Sequence, residues 1–295
     1  MARTRSRNTD VETGIKPMAG MTFGCDPELF VLNTKTNKFV TAEGLIPGTK
    51  AEPYAVKDGA VQVDGMAAEF NIDPVSTFAD FDAKIQSVMD QLGKMLPKDH
   101  KLVQSPAVVF DEDVWNDTPM KAKELGCTPD FNAWTGEVNP PPHCDNERLR
   151  TASGHLHIGW TNDASMSDIQ HIAACRDLVR QLDYYLGAWS IQQDPDPTRR
   201  LLYGKAGAMR FKPYGVEYRV LSNFWLKDTY SRLNVWNRMQ KGIWDMSRTF
   251  CPRNGDETVP HLTGFKFNDL LIQSINTSKI DQSLSDSFYF PINSI

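Results

Sequence analysis

The 295-residue chain lacks any stretch approaching the ~20 consecutive apolar residues of a membrane-crossing helix, and this argues against a helical span. It lacks a surplus of positive charge. Thirty-two Lys and Arg stand against 37 Asp and Glu, a net charge of −5, which disfavours a nucleic-acid coat or a polybasic membrane binder. It is poor in cysteine. The five at positions 25, 127, 144, 175 and 251 are odd in number and widely spaced, with no CxxC, so neither a disulfide framework nor a zinc ribbon is expected. Cys127, His143 and Cys144 offer three metal donors, but no second close pair completes a zinc site. The GKAG at 204–207 lacks the GxxxxGK[ST] spacing of a P-loop and reads as a turn or a close backbone approach. Internal repeats and low-complexity segments are also missing.

What is present is a foldable composition, 40% hydrophobic and 10% aromatic, enough for a sizeable core. The segment MARTRSRNTD is basic with no apolar run after it, unlike a secretory signal. Residues 1–20, with Arg3, Arg5 and Arg7, are expected to be a flexible tail that offers a docking arm for a partner. Residues 21–265 read as one domain and 266–295 as a C-terminal extension. A cytoplasmic location is expected.

Within the domain, Met21 to Val40 reads as a hairpin around the polar turn NTKTN, and AVQVDGMAAEFNI as short strands around Asp64 and Gly65. Phe78, Phe81, Ile85, Val88, Leu92 and Met95 recur at three and four, predicting a helix over 77–96 capped by Ser76 or Thr77. Residues 101–110 read as a strand. From Asp111 to Ala152 the pattern breaks around Pro129 and Pro140–Pro142, predicting a long functional loop. GHLHIGW reads as a strand. A helix is expected over 168–186, opened by Ser167 and Gln170 as a capping box and ended by Gly187. Strands near 200–211 and 215–222 and a helix over 229–247 follow, and the text after Gly264 is weakly patterned. Strands in groups with three helices indicate the α+β class.

The informative feature is a set of polar pairs two residues apart in strand-like text. Residues i and i+2 of a strand share a face. Asp26 and Glu28, Glu69 and Asn71, His155 and His157, and Glu217 and Arg219 are all so spaced. One such pair is what any solvated strand face shows. Four pairs rich in acids and imidazoles, gathered on one face, require cations, and carboxylates with imidazole suit Mg²⁺ or Mn²⁺. Arg199, Arg200, Lys205, Arg210 and Arg219 are candidates to neutralise phosphates. Metal-binding acids with phosphate-binding arginines describe a nucleotide phosphoryl-transfer site. Pro27, which cannot donate to a ladder, places Asp26 at an edge or a bulge.

The order Asp-x-Glu, then an isolated Glu, then Gly-His-x-His-x-Gly, then Arg with Glu-x-Arg, resembles the glutamine synthetase-like superfamily of carboxylate–amine ligases. GCDPELF, VDGMAAEFN, ELGCTPDFNAW, ASGHLHIG and MRFKPYGVEYRVLSNFW are similar to the phage-associated amidoligases, the COOH–NH2 ligase type 2 family, over roughly residues 22–226. The resemblance implies a curved antiparallel sheet with packed helices and an active site on its concave face. It implies ATP and Mg²⁺ (or Mn²⁺), a carboxylate substrate such as a peptide or cell-wall fragment, and an amine donor. Metal ions would be held by Asp26, Glu28, Glu69, His155 and Glu217. His157 would lie nearer the carboxylate substrate, Arg210 would contact phosphate with Arg199 or Arg200 as a second contact, and Arg219 would contact the phosphate or acyl phosphate. Asp26 stands where that family more usually has Glu, a shorter arm toward the metal. The same fold also serves guanidino-group kinases, and a non-catalytic component of a virus particle is the further alternative. Oligomeric state is left open, and the infected cell or the virion is the implied setting.

Other residues have plain expectations. His171 should be solvated, and His100, His143 and His261 should do nothing specific. Trp134 and Trp160 should pack, with stacking on adenine as the functional alternative. Cys25 and Cys175 should be core.

Overall fold

The computed structural model describes residues 18–124, 130–250, 265–281 and 284, with backbone only at 248–250 and 265–267. The basic tail through residue 17, Cys127, Pro129, Cys251 and His261 lie outside the described residues.

Strand β1 (Thr22–Cys25) and strand β2 (Glu28–Asn33) follow each other directly, split by Asp26 and Pro27. β3 (Lys38–Val40) returns along β2 with Val31 opposite Val40, and Asn37 supplies the positive φ of the turn, 56°. β4 (Tyr54–Val56), β5 (Gly59–Asp64) and β6 (Ala67–Ile72) make a meander. Asp64 faces Ala67, so Gly65 and Met66 form a two-residue turn in which Gly65 takes φ 56°. Both expected hairpins are present. Helix α1 (Phe78–Met95) begins where Thr77 accepts a hydrogen bond from the Asp80 N–H, and its stripe of Phe81, Ile85, Val88 and Leu92 is fully buried. Each such burial contributes roughly 1.5–3 kcal/mol.

β7 (His100–Val103) adds to β2, and β8 (Ala107–Val109) follows. The expected long loop is instead subdivided. It holds α2 (Glu112–Asp117), α3 (Met120–Lys123), β9 (Phe131–Asn132) and β10 (Leu149–Thr151), with β10 paired to β8. Its elements are two to six residues long, too short to impose a helical or strand period on the sequence. β11 (Leu156–Gly159) precedes α4 (Ile169–Leu182). Asp168, not Ser167, caps α4, accepting from the Gln170 and His171 N–H groups. Nor does Gly187 end the helical run. A π-turn over Asp183–Gly187 carries it into α5 (Ala188–Gln193). Then come α6 (Thr198–Leu202), where a strand was expected to begin, β12 (Ala208–Lys212), β13 (Gly215–Tyr218), a 3-10 turn at Asn223–Lys227, α7 (Thr229–Phe250) and α8 (Phe265–Thr277). Helix α8 was not anticipated. Leu271 and Ile275 on it are buried in the main core, so this part of the extension belongs to the same packing unit.

The class is α+β with antiparallel sheets. One sheet runs β1-β11-β13-β12-β9, and the other runs β3-β2-β6-β5-β4 with β7 also on β2. The curved sheet that was expected is thus divided into two sheets joined at a seam, with β10 and β8 forming a third, two-stranded sheet. Pro27 has no N–H for a ladder, so β1 pairs with β11 while β2 goes over to β6. The seam is stitched by backbone hydrogen bonds from Phe70 N to Pro27 O (3.1 Å), Glu28 N to Ser153 O (2.9 Å) and Phe23 N to Val75 O (2.8 Å).

Alternation then sorts the side chains. Phe23, Cys25, Leu156, Ile158, Val216, Tyr218, Ala68 and Phe70 are buried in one core with α1, α4 and α7. Phe81 stacks on Trp225 and packs against Trp236 there. The residues between them, Asp26, His157, Glu217 and Glu69, are left for the other face. Among the described residues, no helix is long and apolar enough to cross a membrane.

Candidate active site at the seam of two sheets

The polar pairs converge at the seam. His157 lies directly opposite Glu217 on β13, and Glu217 directly opposite Arg210 on β12. Asp26, His155 and Arg219 sit just past the ends of β1, β11 and β13. Across the seam, Glu28 lies directly opposite Glu69, and Glu69 opposite Gln62.

On the β1–β11–β13 side the charges interlock. Asp26 Oδ1 is 3.0 Å from His157 Nε2 and 3.4 Å from His155 Nδ1. His155 Nδ1 is 3.3 Å from Glu217 Oε1. Glu217 has no exposed side-chain surface. It pairs with Arg219, with Lys212 Nζ at 2.9 Å and with Arg210 Nη1 at 3.5 Å. Arg219 is held in turn by Asp130, 3.5 Å away. The consequences for protonation follow. Burial works to raise Asp26, but the two imidazoles hold it well below the usual carboxylate range. Burial and Asp26 likewise raise Glu217, yet Arg219 and the histidines bring it to about 2. Burial and Arg219 push His155 down to about 4, leaving a neutral imidazole with a lone pair. His157 is lowered by burial and raised further by Asp26, with a net upward shift.

Across the seam the balance reverses. Burial and Asp64 push Glu28 up to about 7, although the Ser153 N–H donates to it at 2.9 Å. Burial, then Asp26, Asp64 and Glu28, raise Glu69 well above the carboxylate range, and a 2.8 Å hydrogen bond from Gln62 offsets only part of this.

Asp26, His157 and Glu217 each offer one ligand atom, all within 4.8 Å of one another. The Asp26 Oδ1–His157 Nε2 contact lacks hydrogen-bond geometry, and both atoms are buried with no hydrogen-bond partner. The Tyr214 hydroxyl meets His157 Nδ1, leaving Nε2 toward the acids, the outer-shell arrangement usual for a ligating histidine. The donor set therefore fits a hard divalent cation.

The phosphate candidates divide. Arg210 and Arg219 are in the cluster. Arg199 reaches its edge, buried, with Nη1 donating to Val220 O (2.8 Å). Arg200 is elsewhere. It is buried among helices, donating to Asp194 O, Ser190 Oγ and Ser278 Oγ at 2.7–3.1 Å, so its hydrogen bonds are spent on holding α5, α6 and the end of α8 together. Lys205 is half-buried in the turn before β12 and, among the described residues, pairs with none of the cluster's acids. The GKAG glycines are explained by close approach. Gly204 and Gly207 take φ of 75° and 76°, and an added Cβ would lie 1.8 Å from Arg199 Nη1 and 2.6 Å from the Trp134 ring, respectively.

Four participants escaped the sequence reading. Lys212 is two residues from Arg210 and Gln62 two from Asp64, so the same-face rule reaches both. Asp130 and Tyr214 come from a loop and a turn and carry no periodic signal. His171, expected in solvent, is buried with Nε2 2.9 Å from Lys212 O. Trp134 packs and donates to Asp183 Oδ2 (2.6 Å), and Trp160 packs on His171. Cys25 and Cys175 are buried as expected.

No family model and no curated protein matches the chain. Among solved structures, a bifunctional glutathione synthetase from Pasteurella multocida matches with a TM-score of 0.32 and 9% identity, over 91% of this chain and 49% of that one. The chain thus spans about half the length of that protein, and a likeness this slight defines neither a fold family nor an activity.

Proposed function

We propose that the chain is an ATP-dependent carboxylate–amine ligase that works through an acyl phosphate. One observation carries the reading. Four buried or half-buried acids from both sheets, Asp26, Glu28, Glu69 and Glu217, meet at the seam beside two imidazoles, with Arg210, Lys212 and Arg219 on one flank. Buried acids at this density require cations. Mg²⁺ or Mn²⁺ held by Asp26, His157 and Glu217, with Glu28, Glu69 and His155 as further donors, would screen polyphosphate charge.

In the reaction a substrate carboxylate oxygen attacks the γ-phosphorus of ATP, and the bond to the β-phosphate oxygen breaks, releasing ADP. An amine then attacks the acyl carbon, inorganic phosphate leaves, and the amine proton is lost to give an amide. Arg210, Lys212 and Arg219 supply positive charge for the transferring group. Glu217 and His155, through their contacts with Arg210, Lys212 and Arg219, fix these groups before substrate arrives, so little reorganisation remains to be done. The resemblance to phage amidoligases, with its implied phage setting, supports the same assignment.

The test is a hydroxylamine trap. Protein, ATP and Mg²⁺ are incubated with pools of carboxylates, including glutamyl peptides and cell-wall fragments. Carboxylate-dependent hydroxamate with stoichiometric phosphate is expected, and its loss in Glu28→Gln and Glu217→Gln. A stable phosphorylated product would instead make the protein a kinase. No turnover and no ATP binding would leave a non-catalytic binding component.

A further inference from the structure

On the Glu28 side of the seam lies a cavity of about 80 Å³, room for a small polar group and not for a nucleotide. Three arginines line it, Arg150, Arg199 and Arg219, together with the acids Glu28, Asp64 and Glu124. Arg150 plays no part in the acid cluster. It is 7% exposed, is gripped by the carbonyls of Glu147, Leu149 and Lys123, and stacks 4.6 Å from the centre of the Trp115 ring. Lys123 Nζ approaches the same ring at 5.1 Å. Among the described residues neither Arg150 nor Arg199 forms an ion pair with any carboxylate. The buried Nε of Arg150 and that of Arg199 have no hydrogen-bond partner, and that of Arg219 has only its 3.5 Å ion pair with Asp130. Burial weakens the hold of Arg150 and Arg199 on their protons, the latter to about 10.

Buried charge is normally paired, and two desolvated guanidinium groups that feel Glu28, Asp194 and Glu147 only from beyond ion-pair distance are expensive to maintain. Of these acids, Asp64 already pairs with Lys50 at 2.7 Å, Glu28 belongs to the cation-binding set, and Glu124 is exposed to solvent. What is missing is an anion from outside. The terminal nitrogens of Arg150 and Arg199 already donate to carbonyls, so what each still offers a small oxyanion is its charge and its unpartnered Nε–H.

We propose that this cavity is an oxyanion pocket in which Arg150, Arg199 and Arg219 seat a carboxylate or phosphoryl group of a substrate, with Arg150 setting its specificity. The pocket rests on the ligase reading only for which substrate carries that group. It predicts that the substrate brings an anionic end that interacts with the arginines.

The test reads binding without turnover. Calorimetry on the full chain, with Mg²⁺ at fixed ionic strength, compares inorganic phosphate, glutarate and the uncharged analogue glutaramide, in wild type, Arg150→Gln and Arg150→Lys. Wild type is expected to bind at least one oxyanion and not glutaramide. Arg150→Gln should weaken that binding roughly tenfold or more, and Arg150→Lys, which keeps charge but not the Nε–H, should fall between. Melting temperature is recorded for each variant. If Arg150→Gln fails to fold, Arg150→Lys decides alone. Phosphate binding that ATP displaces identifies the phosphoryl group as occupant, and glutarate binding that ATP leaves intact identifies an acceptor carboxylate. Either result supports the pocket. No oxyanion binding by wild type, or binding unchanged in a folded variant, overturns it. Arg150-dependent binding in a protein that gives no hydroxamate would sink the ligase assignment and leave the pocket standing.

Discussion

The two flanks of the seam are built from the same residue types and have opposite electrostatics. On the β1–β11–β13 flank, Asp26 and Glu217 are held ionised by His155, His157, Arg219, Lys212 and Arg210. On the β2–β6 flank, Glu28 and Glu69 lie directly opposite each other with, among the described residues, only Ser153 and Gln62 as hydrogen-bond donors, and both carboxyl groups are pushed upward. Like charges directly opposite on a ladder destabilise it. The first flank carries its own counter-charge. On the second, Arg199 acts on Glu28 only from beyond ion-pair distance and both carboxyl groups stay raised, so a cation bound there would relieve Glu28 and Glu69.

Substitution should separate the flanks. The largest effect is expected from Glu217→Gln. It leaves Arg219, Lys212 and Arg210 without their shared partner, and breaking such a buried pair costs about 3–5 kcal/mol. Denaturant unfolding of the metal-free protein measures this, and a loss below that of Glu28→Gln would collapse the distinction.

Asp183, outside the cluster, sharpens the comparison as a third kind of acid. It accepts hydrogen bonds from Trp134 Nε1, Gly207 N and the Tyr218 hydroxyl at 2.6–2.9 Å. Burial nevertheless raises it to about 7. Its folded value exceeds the ~3.9 of an unfolded aspartate, so the folded state binds the extra proton. Its contribution to stability is present below about pH 4 and lost as pH rises through about 7. Asp183→Asn should remove that part of the slope. At neutral pH it should cost about 1–3 kcal/mol, because an amide cannot accept from all three donors. Urea titrations at pH 5 and pH 7.5 check both, and an unchanged slope would rule Asp183 out as the source.

Glu69→Gln should act in the opposite direction from Glu217→Gln. Removing a crowded carboxyl should leave metal-free stability unchanged or raise it by up to about 1 kcal/mol, while the melting-temperature increase on adding Mg²⁺ becomes smaller. A clear loss of metal-free stability would mean that this flank is compensated after all. The smallest effect is expected at Lys205, where Ala should change stability by no more than about 0.5 kcal/mol and leave ATP affinity unaltered.

The legible part of this molecule was its alternation. The i, i+2 spacing put His157, Glu217 and Glu69 on one face and Leu156, Val216 and Phe70 on the other, because pleat geometry alone fixes that outcome. The spacing of the α1 stripe located that helix within a residue at each end. The joint was harder to see. Pro27 announced an edge or a bulge, and nothing local said that β2 would leave for a second sheet. Arg200 was misplaced because charge alone does not distinguish an arginine facing a ligand from one whose donors are taken by Asp194, Ser190 and Ser278. Arg150 was overlooked for the complementary reason. Its significance lies in partners it lacks, and a missing partner leaves no trace in a linear text.

The seam at Asp26 and Pro27 also makes the site a caliper. Two of its acids ride on one sheet and two on the other, with only Asp26 and Pro27 between the ladders at that point. The width an ion must span across the joint is therefore set where the backbone passes from one ladder to the other. Mg²⁺ demands ligands at about 2.0–2.1 Å and Ca²⁺ accepts about 2.3–2.6 Å. An ion bridging both sheets would thus have to match, to a few tenths of an ångström, the spacing at which the seam holds their carboxylates.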